Sequence, residues 1–270
     1  MAKEIFAKNK IAIIGSGHIG SALAEGLVRG GINPQQIIVA GPSALQNHRF
    51  QKLGIQITCN NTDAVYMADW VFLSVKPKVV LEVLKEICQI INGKVVVSLA
   101  AGVCMAKLKK HAGRVHIARI MPNMPIAINR GIIGYLDGNL SKDEKKNLRC
   151  ILSNLGVVIE VKSEHDLDII TLISGCGPGI VSFLIETMAN SAKRLGLTIK
   201  TADLLARQTF NGTLAYLEHF DISSKTLIKS VATKGGITEA ILSDFVKHGF
   251  TQDFSRTIAV GYTRIKKLNK

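Results

Sequence analysis

The chain has 270 residues, 47% of them hydrophobic, which supports a real core in one large domain or two modest ones. Its formal net charge of +14 admits nucleic acid, a membrane surface or small anions as partners. Aromatic residues make up only 5% and do not alternate with the basic ones as a base-stacking surface requires, so nucleic acid is set aside and the charge is read as solvated faces with attraction for anionic small molecules.

Met1 to Lys10 is charged and lacks an apolar signal core. Ile11 to Ile14 then reads as a short buried strand that stops at Gly15. Gly15, Ser16, Gly17, His18, Ile19 and Gly20 fit G-x-G-x-x-G, and Ala22, Leu23, Leu27 and Val28 continue at helical spacing as far as Gly30-Gly31. Strand, glycine turn and helix together form the context of a dinucleotide fingerprint. Gly15 allows the tight turn, Gly17 lets a pyrophosphate approach the backbone, and Gly20 lets helix and strand pack closely. The start of the helix supplies N–H groups and partial positive charge to the phosphates.

Strands then alternate with helices. Gln36 to Ala40 reads as a strand, Leu45 to Leu53 as a helix, and Ile55 to Thr58 as a strand. Trp70 to Val75 is an apolar strand ending at Lys76-Pro77, followed by an amphipathic helix, Val79 to Ile91. Lys94 to Leu99 and Val115 to Ile120 are further strands, running into Ala100-Ala-Gly102 and Met121-Pro-Asn123. Ser141 with Glu144 makes a capping box ahead of the stripe Leu148, Ile151, Leu152 and Leu155. Gly156 ends that helix, and Val157 to Val161 is the last strand. The pattern is an α/β fold with a doubly wound parallel sheet of Rossmann type. Ligands of such sheets bind at the carboxyl ends of strands, here Gly15–Gly20, Gly41–Ser43, Ser74–Pro77, Leu99–Gly102 and Met121–Asn123.

The end of the second strand bears on the cofactor. Ala40 to Arg49 holds no carboxylate to accept from a ribose 2′-hydroxyl, while Ser43, Asn47, His48 and Arg49 are donors suited to a 2′-phosphate. NADP(H) is therefore expected over NAD(H).

From Ser163 onward the periodicity is helical, over His165–Ile173, Ile180–Leu195, Ala202–His219, Thr238–Lys247 and Asp253–Lys267, with Thr201 as an expected N-cap. The domain boundary is placed near residue 162, with a dinucleotide-binding domain over 1–162 and an all-α domain over 163–270. Wide apolar faces such as Ile180 to Met188 suggest burial against a second subunit, giving at least a homodimer. The longest uncharged run, Ile169 to Ile185, is interrupted by Gly175-Cys-Gly-Pro-Gly179 and reads as too short and too broken for a membrane span. Ser174 to Gly179 reads as a break in helical sequence, and Thr233-Lys-Gly-Gly-Ile-Thr238 as a glycine turn whose N–H groups make an anion site. Thr238 is either an N-cap or a ligand-binding hydroxyl. Five cysteines without a C-x-x-C pair suit reduced thiols in the cytoplasm, and seven histidines without ligand spacing imply no metal site.

These motifs, in order, carry a resemblance to the pyrroline-5-carboxylate reductases along nearly the whole chain. They are Gly15-Ser-Gly-His-Ile-Gly20, Val75-Lys-Pro77, Ser98-Leu-Ala-Ala-Gly102, Met121-Pro-Asn123, Ser174-Gly-Cys-Gly-Pro178, Ala206-Arg-Gln-Thr209 and Gly235-Gly-Ile-Thr238. The resemblance implies reduction of Δ1-pyrroline-5-carboxylate to proline with NADPH or NADH, and a helical domain that pairs subunits. It implies that Ser43 and Asn61 lie by the 2′-phosphate, and that Ser74, Val75, Lys76, Pro77, Leu99, Ala100 and Ala101 line the ribose and nicotinamide. Met121 and Asn123 would border the nicotinamide pocket. Gly235 and Gly236 would hold the substrate carboxylate, Thr238 the ring nitrogen, and Glu164, Ser174 and Ile237 would lie near the substrate. Lys234, Ile237 and Cys176 depart from the family's usual residues, which bears on the substrate more than on the cofactor. A hydroxyacid dehydrogenase of the phosphogluconate group would need a lysine shortly after Gly179, and Ile180 to Ala192 has none. A non-catalytic nucleotide-binding regulator is the other alternative, weakened by the retention of Thr238 beside the double glycine.

Overall fold

The computed structural model describes residues 9–42, 44 and 48–268. Contacts divide the chain into one unit reaching to Pro178 and rejoined from Gly261, and a second unit, Gly179–Val260.

The first unit is built on an eight-stranded sheet in the order β3-β2-β1-β4-β5-β6-β7-β8. Its strands are β1 (Ile11–Ile14), β2 (Ile37–Ala40), β3 (Gln56–Thr58), β4 (Trp70–Leu73), β5 (Val95–Ser98), β6 (His116–Pro122), β7 (Gly131–Asp137) and β8 (Gly156–Val161). The strands run parallel except where β7 meets β6 antiparallel, and β8 then follows β7 in parallel. All four residues of each of β1, β2, β4 and β5 are buried, as expected of parallel strands covered on both faces. One face packs on α1 (His18–Arg29) through Leu23 and Leu27, the other on α4 (Pro77–Ile87) through Val80, Leu84 and Ile87. The order reverses between β1 and β4, so their carboxyl ends flank the crevice where such sheets take ligands.

The sequence reading passes over β7, the short helices α3 (Asn61–Tyr66) and α5 (Met105–Ala112), and α10 (Ser224–Val231) in the second unit. The helix expected over Leu45–Leu53 is α2 (His48–Lys52), and Leu45 to Asn47 lie outside the described residues. The capping box forms as the sequence implies: Ser141 Oγ accepts from Glu144 N–H, and Glu144 accepts from Ser141 N–H, opening α6 (Lys142–Ser153).

Ser174 to Gly179 is not a break. Helix α7 (Glu164–Ile170) passes through a π-helical turn, Thr171–Gly175, and resumes almost at once as α8 (Gly177–Arg194). The uncharged run is therefore part of the helical stretch Glu164–Arg194, long and apolar enough by length and composition to cross a membrane. Its first turns are nonetheless packed on the sheet: a Cβ on Gly134 of β7 would lie 2.9 Å from Leu167 and 3.0 Å from Ile170.

The second unit holds most of α8 with α9 (Ile199–Phe220), α10, α11 (Ile237–Lys247) and the start of α12 (Phe250–Leu268). Thr198, not Thr201, caps α9: its Oγ1 accepts from Thr201 N–H at 3.3 Å. The buried core here is small, namely Ala189, Ala202 and Ala206 with Ile185 and Ala192 against them. Phe183, Leu204, Leu214, Val246 and Val260 are all exposed by more than half.

Candidate active site

The glycine loop shows a division of labour among its three glycines. Gly15 has φ +116°, and a Cβ there would lie 2.8 Å from the backbone of Ser74. A Cβ on Gly20 would lie 2.1 Å from the Gly15 carbonyl oxygen, so α1 rests directly on the end of β1. Gly17 is different: it occupies the N-cap of α1, and nothing lies within 4 Å of a Cβ placed on it. Two of the glycines are thus filled by the protein itself, and the middle one faces open space at a helix N-terminus. That is the cradle a pyrophosphate needs. Ser74 Oγ donates to the carbonyls of Ile14 and Gly15, at 3.1 and 2.8 Å, and ties the loop to the end of β4 across the crevice. Lys76 follows as N-cap of α4, and Pro77 takes the first helical position, where a missing N–H costs nothing.

Ser16, Gly17 and His18 line a pocket of about 460 Å³ together with Glu25, Arg49, Met124 and others. Arg49 lies 3.5 Å from Glu25, so the carboxylate in this pocket has a cation beside it. Asn61 donates to Glu86 at 3.0 Å. Ser43 lies outside the described residues.

At the end of β6, Met121 and Asn123 are buried. Asn123 Oδ1 accepts from Ile132 N–H at 2.9 Å, and its Nδ2 donates to Ser174 Oγ at 3.1 Å. Asn123 therefore anchors the π turn, a feature frequent at functional sites, to the carboxyl end of the sheet.

The sequence reading misses Arg119. It is 1% exposed in the middle of β6. One guanidinium nitrogen donates to the Ala100 carbonyl at 3.1 Å, and another pairs with Glu164. The other oxygen of Glu164 accepts from Met105 N–H at 2.6 Å. Burial pulls the Arg119 guanidinium down to about 10, against the opposing pull of Asp168 and Cys104, so it stays charged at neutral pH. Asp168, also buried, lies 3.6 Å from Lys266, and Tyr262 meets His165 at 3.0 Å. A visible signal is a charge inside an apolar run, since a buried charge must find a partner. Arg119 sits between Ala118 and Ile120, Asp168 between Leu167 and Ile169.

In the second unit, Gly236 is the N-cap of α11 and Thr238 its second residue, so the reading of Thr238 as a cap is excluded. Gly235 N–H donates to Glu239 at 2.6 Å and Gly236 N–H to the Thr233 carbonyl at 2.9 Å. Both amides expected to hold a carboxylate thus have internal acceptors. The next three N–H groups, of Ile237, Thr238 and Glu239, have no carbonyl of their own helix to bond. Thr238 lines a cavity of about 660 Å³ with Thr213, Tyr216 and Leu242 among its walls. Ile237 is 82% exposed, and Lys234 and Cys176 are also exposed.

Comparison with known proteins agrees with this layout. A family model described as NADP oxidoreductase, coenzyme F420-dependent, matches residues 10–102, and one described as pyrroline-5-carboxylate reductase dimerisation matches residues 164–268. A pyrroline-5-carboxylate reductase of Corynebacterium melassecola is 32% identical, over 96% of this chain and 98% of the relative. A solved pyrroline-5-carboxylate reductase from Coxiella burnetii superposes with a TM-score of 0.87 at 31% identity, covering 97% of this chain and 99% of that one. A pyrroline carboxylate reductase of Plasmodium falciparum, solved with NADP bound, superposes at 0.89 with 26% identity and coverages of 97% and 99%. The chain belongs to the pyrroline-5-carboxylate reductase family.

Proposed function

We propose that this protein reduces the C=N bond of Δ1-pyrroline-5-carboxylate to give proline, the last step of proline biosynthesis, with NADPH preferred over NADH. The observation that carries the reading is the open space at Gly17, on a helix N-terminus at the reversal point of the sheet, in a chain of this family. A bound reduced nicotinamide supplies the hydride to the imine carbon. Bringing two flat reactants face to face can remove several kcal/mol of barrier. Ser74 to Pro77, Leu99 to Ala101, Met121 and Asn123 form the nicotinamide side. Thr238 donates a hydrogen bond to the ring nitrogen, and the proton that completes the amine comes to that nitrogen from water by way of this hydroxyl. The N–H groups of Ile237, Thr238 and Glu239 at the start of α11, which have no carbonyl of their own helix to bond, take the substrate carboxylate. Preference for NADPH rests on the donor-rich, carboxylate-free sequence from Ala40 to Arg49, on Arg49 in the pocket, and on the relative solved with NADP.

The helical region 163–270 serves substrate binding and dimerisation. The support is its small core, its many exposed apolar residues and the dimerisation model matched there. The same apolar face accounts for the hydropathy of Glu164–Arg194 without a membrane; the unpaired cysteine pattern and the low aromatic content support a cytoplasmic protein with no nucleic-acid partner. Initial rates with the five-membered imine and its six-membered homologue, each with NADPH and NADH, test the proposal. Turnover of neither imine with either cofactor refutes it, and faster turnover of the six-membered ring moves the assignment to that substrate.

A further inference from the structure

The segment 99–104 leaves β5 at its carboxyl end and enters α5, on the side of the crevice read above as the nicotinamide side. Inside it the backbone turns through Gly102 at φ +72°, with Leu99, Ala100 and Val103 buried and the Ala100 N–H donating to Ser98 Oγ at 3.3 Å. Both of its ends are held from outside by one ion pair. Arg119 takes the Ala100 carbonyl at 3.1 Å, and Glu164, paired with Arg119, takes the N–H of Met105 at 2.6 Å. Met105 is the first residue of α5, so this N–H is one the helix cannot satisfy internally. An ion pair with one partner buried, here Arg119 at 1% exposed against Glu164 at 34%, is weak as a source of stability, because desolvation offsets its attraction; what it offers is a single geometry.

We propose that Arg119 and Glu164 are positioning residues that brace the 99–104 segment, and through it the nicotinamide side of the cofactor site, and that Glu164 acts there and not on the imino-acid substrate. The inference rests on the reading that the crevice holds NAD(P)H.

Removing Arg119 outright empties a fully buried position in the middle of the sheet and endangers folding, so two variants outside the sheet carry the test. Glu164→Gln keeps the shape and the acceptor but loses the charge that holds Arg119. Met105→Pro deletes the bonded N–H at a first helical position, where proline is tolerated. Cys104 before it already has φ −69° and ψ 158°, the extended conformation a following proline requires. NADPH and NADH are titrated by nicotinamide fluorescence, alongside KM for both substrates and thermal melting. Each variant is expected to raise the NADPH Kd and the cofactor KM about five-fold or more, with the imino-acid KM held within about two-fold. An imino-acid KM that rises while NADPH binding is native overturns the proposal in favour of a direct substrate role for Glu164. A lower melting point with both constants native reduces the pair to a structural contact and also overturns it. Failure of the unaltered protein to bind either dinucleotide overturns the reading of the crevice itself, a result distinct from native binding in the variants.

Discussion

Alanine at Gly17 and at Gly20 puts the same methyl group into opposite surroundings. At Gly20 the new Cβ lies 2.1 Å from the Gly15 carbonyl oxygen and 2.6 Å from Ser74 Oγ. The first of these atoms is backbone and cannot step aside, so α1 must lift from β1. Overpacking of this kind costs about 3 kcal/mol at the upper end of its usual range. At roughly 2–4 °C per kcal/mol for a chain near this size, the melting point falls by about 6–12 °C. At Gly17 the methyl meets nothing within 4 Å, and φ −71°, ψ −173° is backbone any residue adopts. Only the poorer N-cap preference of alanine remains, about 1 kcal/mol or less. Yet that methyl occupies the space a pyrophosphate needs, and NADPH affinity is expected to fall about ten-fold or more, equivalent to about 1.4 kcal/mol. Fluorescence titration with NADPH and thermal melting read the two effects separately. If Gly17→Ala binds NADPH with native affinity, the phosphates do not lie on this loop. If Gly20→Ala melts as the native protein does, the packing argument is wrong.

Arg49→Ala should raise KM for NADPH several-fold and leave that for NADH unchanged; equal effects on both cofactors remove Arg49 from the 2′-phosphate. Thr238→Ala should lower turnover about ten-fold through loss of one hydrogen bond in the transition state, Thr238→Ser should retain most activity, and neither should alter NADPH affinity; native turnover in the alanine variant rules the hydroxyl out. Burial pushes the Glu144 carboxyl up, but hydrogen bonds from His116 and Ser141 outweigh it and hold it below its ordinary value of 4.5. A depressed carboxylate gives stability that is present above about pH 4.5 and lost as the pH falls through the folded value, so Glu144→Gln should flatten the acid limb of a denaturant-midpoint curve. An acid limb as steep as the native one would show that Glu144 does not contribute to it. Light scattering at micromolar concentration should give at least twice the mass of the 29.2 kDa chain, and a monomer mass refutes the assembly.

What could be read from the sequence was local. The glycine loop and the Ser141–Glu144 box are defined by residues within six positions of one another, and both form as the spacing implies. The central parallel strands β1, β2, β4 and β5 were legible because burial on both faces makes each a continuous apolar run. β7 was not: Gly131 and Gly134 interrupt it, and the reason for them lies elsewhere in the fold. A Cβ on the first would strike Ile126, and on the second Leu167. The π turn has no periodic signature, since one extra residue in a turn leaves the apolar spacing ambiguous. Thr198 and Thr201 stand three apart and bond each other, so sequence alone could not choose the cap. The Arg119–Glu164 pair is separated by 45 positions and needed the sheet to bring it together. Glu239 is the instructive case at the substrate end: four residues after Gly235, it takes the very amide that the motif offers to a ligand.

The return of residues from Gly261 onward to the first unit has a consequence for synthesis. The sheet, 11–161, can assemble on a nascent chain as soon as β8 has emerged. Leu172, against which Gly261 packs so closely that a Cβ would lie 2.5 Å away, and Asp168, which awaits Lys266, must wait for the whole of Gly179–Val260 to be made first. At about 5–20 residues per second that is an interval of roughly four to sixteen seconds. During it α7 already lies on the sheet through Leu167 and Ile170, and only the contacts of Asp168 and Leu172 with the returning residues are still to form.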